Sequence, residues 1–88
     1  MSPGTSFVDI ELRRTLLGAA GGEVKLTEDK KQIRIFKEKE DSHTVFLAEN
    51  ISKILGISDN ILEAITYIAS IGNMLFLYDP SGVLFRFP

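Results

Sequence analysis

Apolar and charged residues alternate over the middle of the chain. A charged residue separates Val24 from Leu26, and another separates Ile33 from Ile35. A period of two is typical of strands that bury one face and expose the other. We therefore predict a three-stranded antiparallel meander that ends in the run 43–47, with polar turns at 27–31 and 39–42.

A helical period precedes this meander. Apolar residues recur at a spacing of three or four and are followed by Gly21-Gly22, so we predict a helix over 7–20. Over 7–13 the apolar residues also alternate with charged ones, and a strand stays the alternative there. The residues that define the helical face are Val8, Leu12, Leu16 and Ala19.

Two further helical segments follow the meander, over 48–55 and 59–71. Gly56 lies between them, and glycine suits the left-handed residue with which a helix commonly ends. Ser58 or Asp59 is placed to cap the second helix. The apolar residues of both segments fall on inward faces, so we predict a helix-turn-helix-like hairpin.

The chain closes with a predicted β-hairpin over 74–78 and 83–87. Its turn, Asp79-Pro80-Ser81-Gly82, has the residues that favour a type I turn. Apolar side chains occur on both faces of this ribbon. Either the N-terminal helix covers one face or that face is a protein interface, and both alternatives stay open. The residues expected at such an interface are Leu75, Leu77, Leu84 and Phe85.

Together these segments predict an α+β fold. It consists of an N-terminal helix, an antiparallel β-meander, a helix-turn-helix-like hairpin and a C-terminal β-hairpin that could serve as the wing of a winged helix. We expect a single small domain over 7–88, after a disordered lead over 1–6. A core built from 88 residues is small, so we also expect a homodimer or a complex with another protein.

The titratable residues give little support to catalysis. His43 is the one histidine, and Asp41 and Ser42 beside it in a turn cannot aim at it as the members of a catalytic triad would. The chain has no cysteine, and none of its glycine pairs opens a helix that could hold a phosphate. We therefore expect no enzyme activity, no catalytic or metal-binding residue and no cofactor.

Charge and hydropathy limit the classes of partner. Ten basic and twelve acidic residues give a formal charge of -2, which is not the positive surplus typical of proteins held to nucleic acid by phosphate contacts. Charged residues interrupt the N-terminal stretch, and Glu63 and Gly72-Asn73 break the apolar span 61–78. We expect an intracellular protein of the cytoplasm, nucleus or nucleoid that does not span a membrane.

The segment QIRIFKEKEDSHTVFLAENISKILGISDNILEAI, residues 32–65, resembles the BRO-N family, the N-terminal domain of phage and baculovirus antirepressor-type proteins. The shared features are Phe46 after a hairpin, Leu55-Gly56 at the end of a short helix, and Ala64-Ile65 in the second helix. YDPSGVLFRF, residues 78–87, is similar to the later strand–turn–strand of the family. The resemblance implies an α+β DNA-binding module of a viral or phage protein that regulates transcription.

The chain departs from the BRO-N pattern at two places. The family tends to place an aromatic residue before the phenylalanine, where this chain has Val45. It also tends to place a basic residue early in the second helix, where this chain has Ser58-Asp59-Asn60 and then Glu63. An acidic second helix fits a phosphate-lined groove poorly.

These observations lead to two hypotheses of function. The first is a small transcription regulator of antirepressor type that binds double-stranded DNA. Its expected DNA contacts are Lys53, Ser58 and Asn60, with Lys30, Lys31 and Arg34 of the basic hairpin steering the DNA. The second is a non-catalytic protein-interaction or dimerisation domain that uses the apolar C-terminal hairpin. Each DNA contact also has a structural explanation, as a solvated cation or as a turn and cap residue.

Overall fold

The N-terminal helix forms where the apolar spacing predicts it. The structure is a computed structural model that describes residues 7–37 and 42–87, so the predicted lead over 1–6 lies outside it. Helix α1 covers Phe7–Ala19, and the stretch that also alternates like a strand is helical. Leu16 is buried, and after the helix the N–H of Gly21 donates to the carbonyl of Ile68 at 2.8 Å.

The predicted meander is present as three antiparallel strands. They are β1 (Gly22–Leu26), β2 (Gln32–Lys37) and β3 (His43–Leu47). In the turn between β1 and β2, the Asp29 carboxylate accepts hydrogen bonds from the Thr27 hydroxyl at 2.7 Å and from the Lys31 N–H at 3.0 Å. Of the predicted second turn, residues 39–41 lie outside the described residues.

The helical hairpin has its turn where the sequence predicts it. Helix α2 (Ala48–Leu55) ends at Gly56, which adopts the left-handed conformation with φ 66°. The N–H of Gly56 donates to the carbonyl of Ser52, a common closure of a helix C-terminus. The Ser58 hydroxyl accepts a hydrogen bond from the N–H of Ile61 at 3.3 Å, so Ser58 is the N-cap of the next helix.

Helix α3 covers only Asp59–Ala64, and the chain then forms strand β4 (Tyr67–Ile71). The prediction of a helix up to residue 71 was therefore wrong. Gly72 adopts φ 60°, which permits a two-residue hairpin loop, and Ile71 pairs with Met74 across it. This segment pairs with β5 along its whole length and with β1 at Tyr67 and Ile68, and this pairing outweighs its helical apolar spacing.

Strands β5 (Met74–Asp79) and β6 (Gly82–Phe87) form the C-terminal hairpin. The Asp79 carboxylate accepts hydrogen bonds from the N–H groups of Ser81 and Gly82, at 2.9 and 3.0 Å. The sheet has the order β3-β2-β1-β4-β5-β6. Strands β4, β5 and β6 form a second antiparallel meander, and the pairing of β1 with β4 joins it to the first. The α+β class is confirmed. The last hairpin is one edge of this sheet, and the winged-helix arrangement is not confirmed.

The three helices pack on the same side of the sheet and enclose one apolar core. Leu75 and Leu77, predicted at an interface, are 0% and 1% exposed in this core, because the helices cover the face on which they lie. Phe85 is partly buried against the same core, and the Leu84 side chain is outside the described part of the structure. Other buried members include Leu16, Ile33, Ile35, Phe46, Ile51, Leu62 and Ile68.

The helices are short, and α1 has 13 residues. Among residues 7–37 and 42–87 there is no helix with the length and apolar character needed to cross a membrane.

Candidate interaction surface

The six-stranded sheet has a second face, opposite the helices in the described structure. Its side chains occupy the strand positions between those that enter the core, as the alternation of a strand requires. We call this set of side chains the open face. It consists of Glu23, Lys25, Gln32, Arg34, Phe36, His43, Val45, Leu47, Tyr67, Ala69, Ile71, Met74, Phe76, Tyr78 and Arg86.

Aliphatic side chains of the open face are exposed to an unusual degree. Val45 and Leu47, on the edge strand β3, are 45% and 48% exposed, and Ile71, at the end of β4, is 71% exposed. Single exposed apolar residues are common, but several on one face of a sheet are typical of a contact surface. Since Met74 and Phe76 are also partly exposed, the apolar surface extends over both halves of the sheet.

The open face has two pairs of rings, one on β2 and β3 and one on β4 and β5. The ring centroids of Phe36 and His43 are 4.6 Å apart, and those of Tyr67 and Tyr78 are 5.8 Å apart in an edge-to-face arrangement. The Lys25 Nζ atom lies 5.3 Å from the centre of the Phe36 ring. Each pair of rings adds ordered apolar surface to the open face. Glu23 lies between the two pairs, since it is the cross-strand neighbour of Phe36 on one side and of Tyr67 on the other.

The charges of the open face are mostly positive. Lys25, Arg34 and Arg86 are three of the ten basic residues of the chain, whereas Glu23 is one of the twelve acidic residues. The loop 27–31 beside this face adds two acidic and two basic residues. Since the whole chain has a formal charge of -2, the open face is a basic surface on an acidic molecule.

The residues predicted to contact DNA lie on two sides of the molecule. Lys53 and Asn60 are exposed on α2 and α3, which cover one side of the sheet. Arg34 is exposed on the open face, on the other side of the sheet. The Ser58 hydroxyl accepts the cap hydrogen bond described above. Arg34 is therefore separated from Lys53 and Asn60 by the sheet.

The remaining predicted DNA contacts are in the β1–β2 loop, next to α3. The Lys30 Nζ atom lies 2.6 Å from Glu63 Oε1, and this hydrogen bond raises the pKa of Lys30. Glu49 and Asp59 line the same cleft. A phosphate in this cleft would meet three carboxylates beside one paired ammonium group, which disfavours its binding there. Lys31, in the same loop, is exposed.

Among the described residues, no three histidine, cysteine, aspartate or glutamate side chains are grouped so that they could hold a metal ion.

The sequence does not predict the open face, because the apolar spacing of 59–71 predicts a helix where the structure has strand β4. In a helix, Tyr67, Ala69 and Ile71 do not share one face, whereas in β4 they do. The signal that could have revealed it is the two-residue Gly72-Asn73 loop between two β-rich runs, a common hairpin sequence.

Comparison of the chain with family models, with characterised proteins and with solved structures finds no match. We therefore infer function from the side chains and their geometry.

Proposed function

We propose that this chain is a non-catalytic protein-interaction domain and that the open face is its binding surface. The observation that supports the proposal is the exposure of three aliphatic side chains on that face, with Val45 at 45%, Leu47 at 48% and Ile71 at 71%. Each Å² of such surface removed from water by a partner contributes about 25 cal/mol to binding before the costs of association.

The core of the domain is complete without the open face. Leu75, Leu77, Ile33 and Ile35 are buried beneath the helices, and no polar or charged residue is buried among the described residues. The strongly exposed aliphatic side chains Val45, Leu47 and Ile71 on the opposite side of the sheet are not part of this core. A binding role accounts for apolar residues at positions that folding leaves exposed.

The dimensions of the open face favour a reversible complex. Six strands about 4.8 Å apart span about 24 Å, and strands of about five residues extend about 17 Å. The projected area of about 400 Å² per partner, about 800 Å² over both partners, is below that of standard specific interfaces and in the range of weak, transient contacts. We therefore expect an affinity in the micromolar range rather than a permanent assembly.

Affinity capture with two matched variants tests the proposal. Val45→Glu introduces a charge on the open face, and Ile10→Glu introduces the same charge on α1 at a residue with the same 45% exposure. Proteins from a lysate of the source organism would be captured on each immobilised domain and identified by mass spectrometry. We expect a partner that the wild type and Ile10→Glu retain and Val45→Glu loses. Retention of the same proteins by Val45→Glu would contradict the proposal.

Binding to double-stranded DNA is a second candidate, in line with a role in transcription regulation. The observation that favours it is the left-handed Gly56 between α2 and α3, with Lys53 and Asn60 exposed on the two helices. Against it stand the acidic residues Asp59 and Glu63 on the six-residue helix α3.

Fluorescence anisotropy of a labelled mixed-sequence duplex tests the DNA candidate. Phosphate contacts predict binding at low salt that weakens steeply at about 200 mM salt. Lys53→Glu should weaken this binding, whereas Lys25→Glu, the same charge reversal on the open face, should not. No binding at tens of micromolar protein, or equal effects of the two variants, would exclude a helix-mediated contact.

A further inference from the structure

The occupant of the open face follows from its shape and its charge. We propose that it is an amphipathic helix of a partner protein, with an apolar stripe flanked by aspartate and glutamate residues. This inference rests on the proposed function, because it names the chemical class of the partner that binds the same surface.

The shape of the open face favours a helix. The backbone N–H and C=O groups of a strand point along the plane of the sheet toward its neighbours, so the face of this sheet offers side chains. An extended peptide would leave its own backbone groups without partners there and would instead pair with the edge strand β3 or β6. A helix satisfies its own backbone, and one of about 16 residues, about 24 Å long, spans the six strands.

The charges of the open face favour an acidic partner. Arg34 is exposed beside its cross-strand neighbour Val45, and Lys25 is the neighbour of Arg34 on the other side. Arg86 lies next to Phe76 on the far half of the sheet. A partner helix whose apolar side chains contact Val45 and Phe76 would therefore have cations of this domain near both of its ends. Glutamate and aspartate beside the apolar stripe complement this pattern.

A second copy of the chain fits the open face less well. Face-to-face packing of two sheets would bring Lys25, Arg34 and Arg86 of both copies into one interface. Among the described strand residues of the open face, Glu23 alone is acidic. Like charges brought together in this way oppose association. The same argument applies to any partner with a basic contact surface.

Two labelled peptides test the inference directly. Both have about 16 residues and the same leucine stripe on a helical backbone. Glutamate flanks the stripe in one and lysine flanks it in the other. Fluorescence anisotropy at low salt should show binding of the glutamate peptide at least about tenfold tighter than that of the lysine peptide. Tight binding of the lysine peptide, or no binding of the glutamate peptide up to about 1 mM, would overturn the inference.

A pair of charge reversals locates the binding site. Arg34→Glu changes an exposed cation of the open face, and Lys31→Glu makes the same change at an exposed cation in the loop between β1 and β2. We expect several-fold weaker binding of the glutamate peptide to Arg34→Glu and unchanged binding to Lys31→Glu. Equal effects of the two reversals would show that the peptide responds to overall charge and would contradict the assigned site.

The outcomes separate this inference from the proposed function. Equal binding of both peptides that is lost in Val45→Glu would overturn the acidic-helix inference and leave the protein-binding role of the open face intact. A dimer mass in light scattering that Val45→Glu reduces to the monomer would identify a second copy as the occupant and overturn the inference. If neither peptide binds but proteins are still captured in a way that depends on Val45, the acidic-helix inference is overturned and the protein-binding role of the open face stays intact.

Discussion

Truncation of Leu77 tests which face of the sheet forms the core. The sequence alone is compatible with Leu77 in the core and with Leu77 at a protein interface. Leu77 is 1% exposed and lies under the helices. Leu77→Ala removes three carbon atoms, worth about 0.8 kcal/mol each in transfer from water. The cavity left behind adds to this loss, so we expect a total destabilisation of about 3 kcal/mol.

The magnitude is large relative to the stability of the whole domain. Domains unfold with about 0.05–0.15 kcal/mol per residue, so Leu77→Ala would remove a substantial part of the total. With a urea m-value of about 1 kcal/mol/M, the unfolding midpoint should fall by about 3 M. Circular dichroism at increasing urea concentration measures this midpoint.

Leu47→Ala is the matched control, since it removes the same atoms from a residue that is 48% exposed on the open face. We expect a change within about 0.5 kcal/mol for this variant. A loss below about 1 kcal/mol for Leu77→Ala, or equal losses for the two variants, would refute the assignment of Leu77 to the core.

Three further predictions concern the backbone and the turns. Gly22→Ala should prevent folding or severely lower the urea midpoint, because a Cβ atom there would collide with the backbone oxygen of Phe36. Gly18→Ala, with open space around it, should raise the free energy of unfolding by up to about 1 kcal/mol and so raise the midpoint. Ser58→Ala should cost about 1 kcal/mol through loss of the α3 cap, and Ser58→Asp should restore most of it. Hydrogen bonds from Ser81 lower the pKa of Asp79 below its ordinary value of 3.8. The ionised carboxylate therefore stabilises the fold above pH 3.8, and this stabilisation is lost as the pH falls through the lowered pKa. Asp79→Asn should remove this part of the pH dependence of the urea midpoint.

The elements that the sequence predicts correctly are those whose conformation is decided by residues close to one another in the chain. The apolar spacing of α1, the alternation in the first meander, Gly56 at the end of α2 and the Asp79 turn each act within a few residues. Local signals of this kind, periodicity, capping and turn chemistry, are sufficient to place such elements and to predict the α+β class.

Strand β4 depends on contacts that are distant in sequence. The segment 67–71 has apolar residues at helical spacing, and its choice of strand follows from pairing with β5 and with Gly22 and Glu23 of β1. Local periodicity does not report such a pairing, because tertiary contacts decide between two conformations that the segment can adopt.

The candidate site could not be predicted for a related reason. Whether Leu75 or Phe76 faces the helices depends on which side of the sheet all three helices pack, and the sequence of the hairpin leaves both alternatives open. In the same way, Arg34 and Lys53 are both exposed cations in the sequence, but only the assembled sheet shows that they lie on opposite sides.

Site-specific photo-crosslinking in cells of the source organism tests the central proposal, that the open face binds a protein, most directly. A photoreactive phenylalanine derivative would replace Val45 in one variant and Ile10, which has the same 45% exposure, in the other. We predict a discrete crosslinked protein at position 45 and none at position 10. The same crosslinks at both positions, or a crosslink at position 10 alone, would contradict the assignment of the open face as the binding surface.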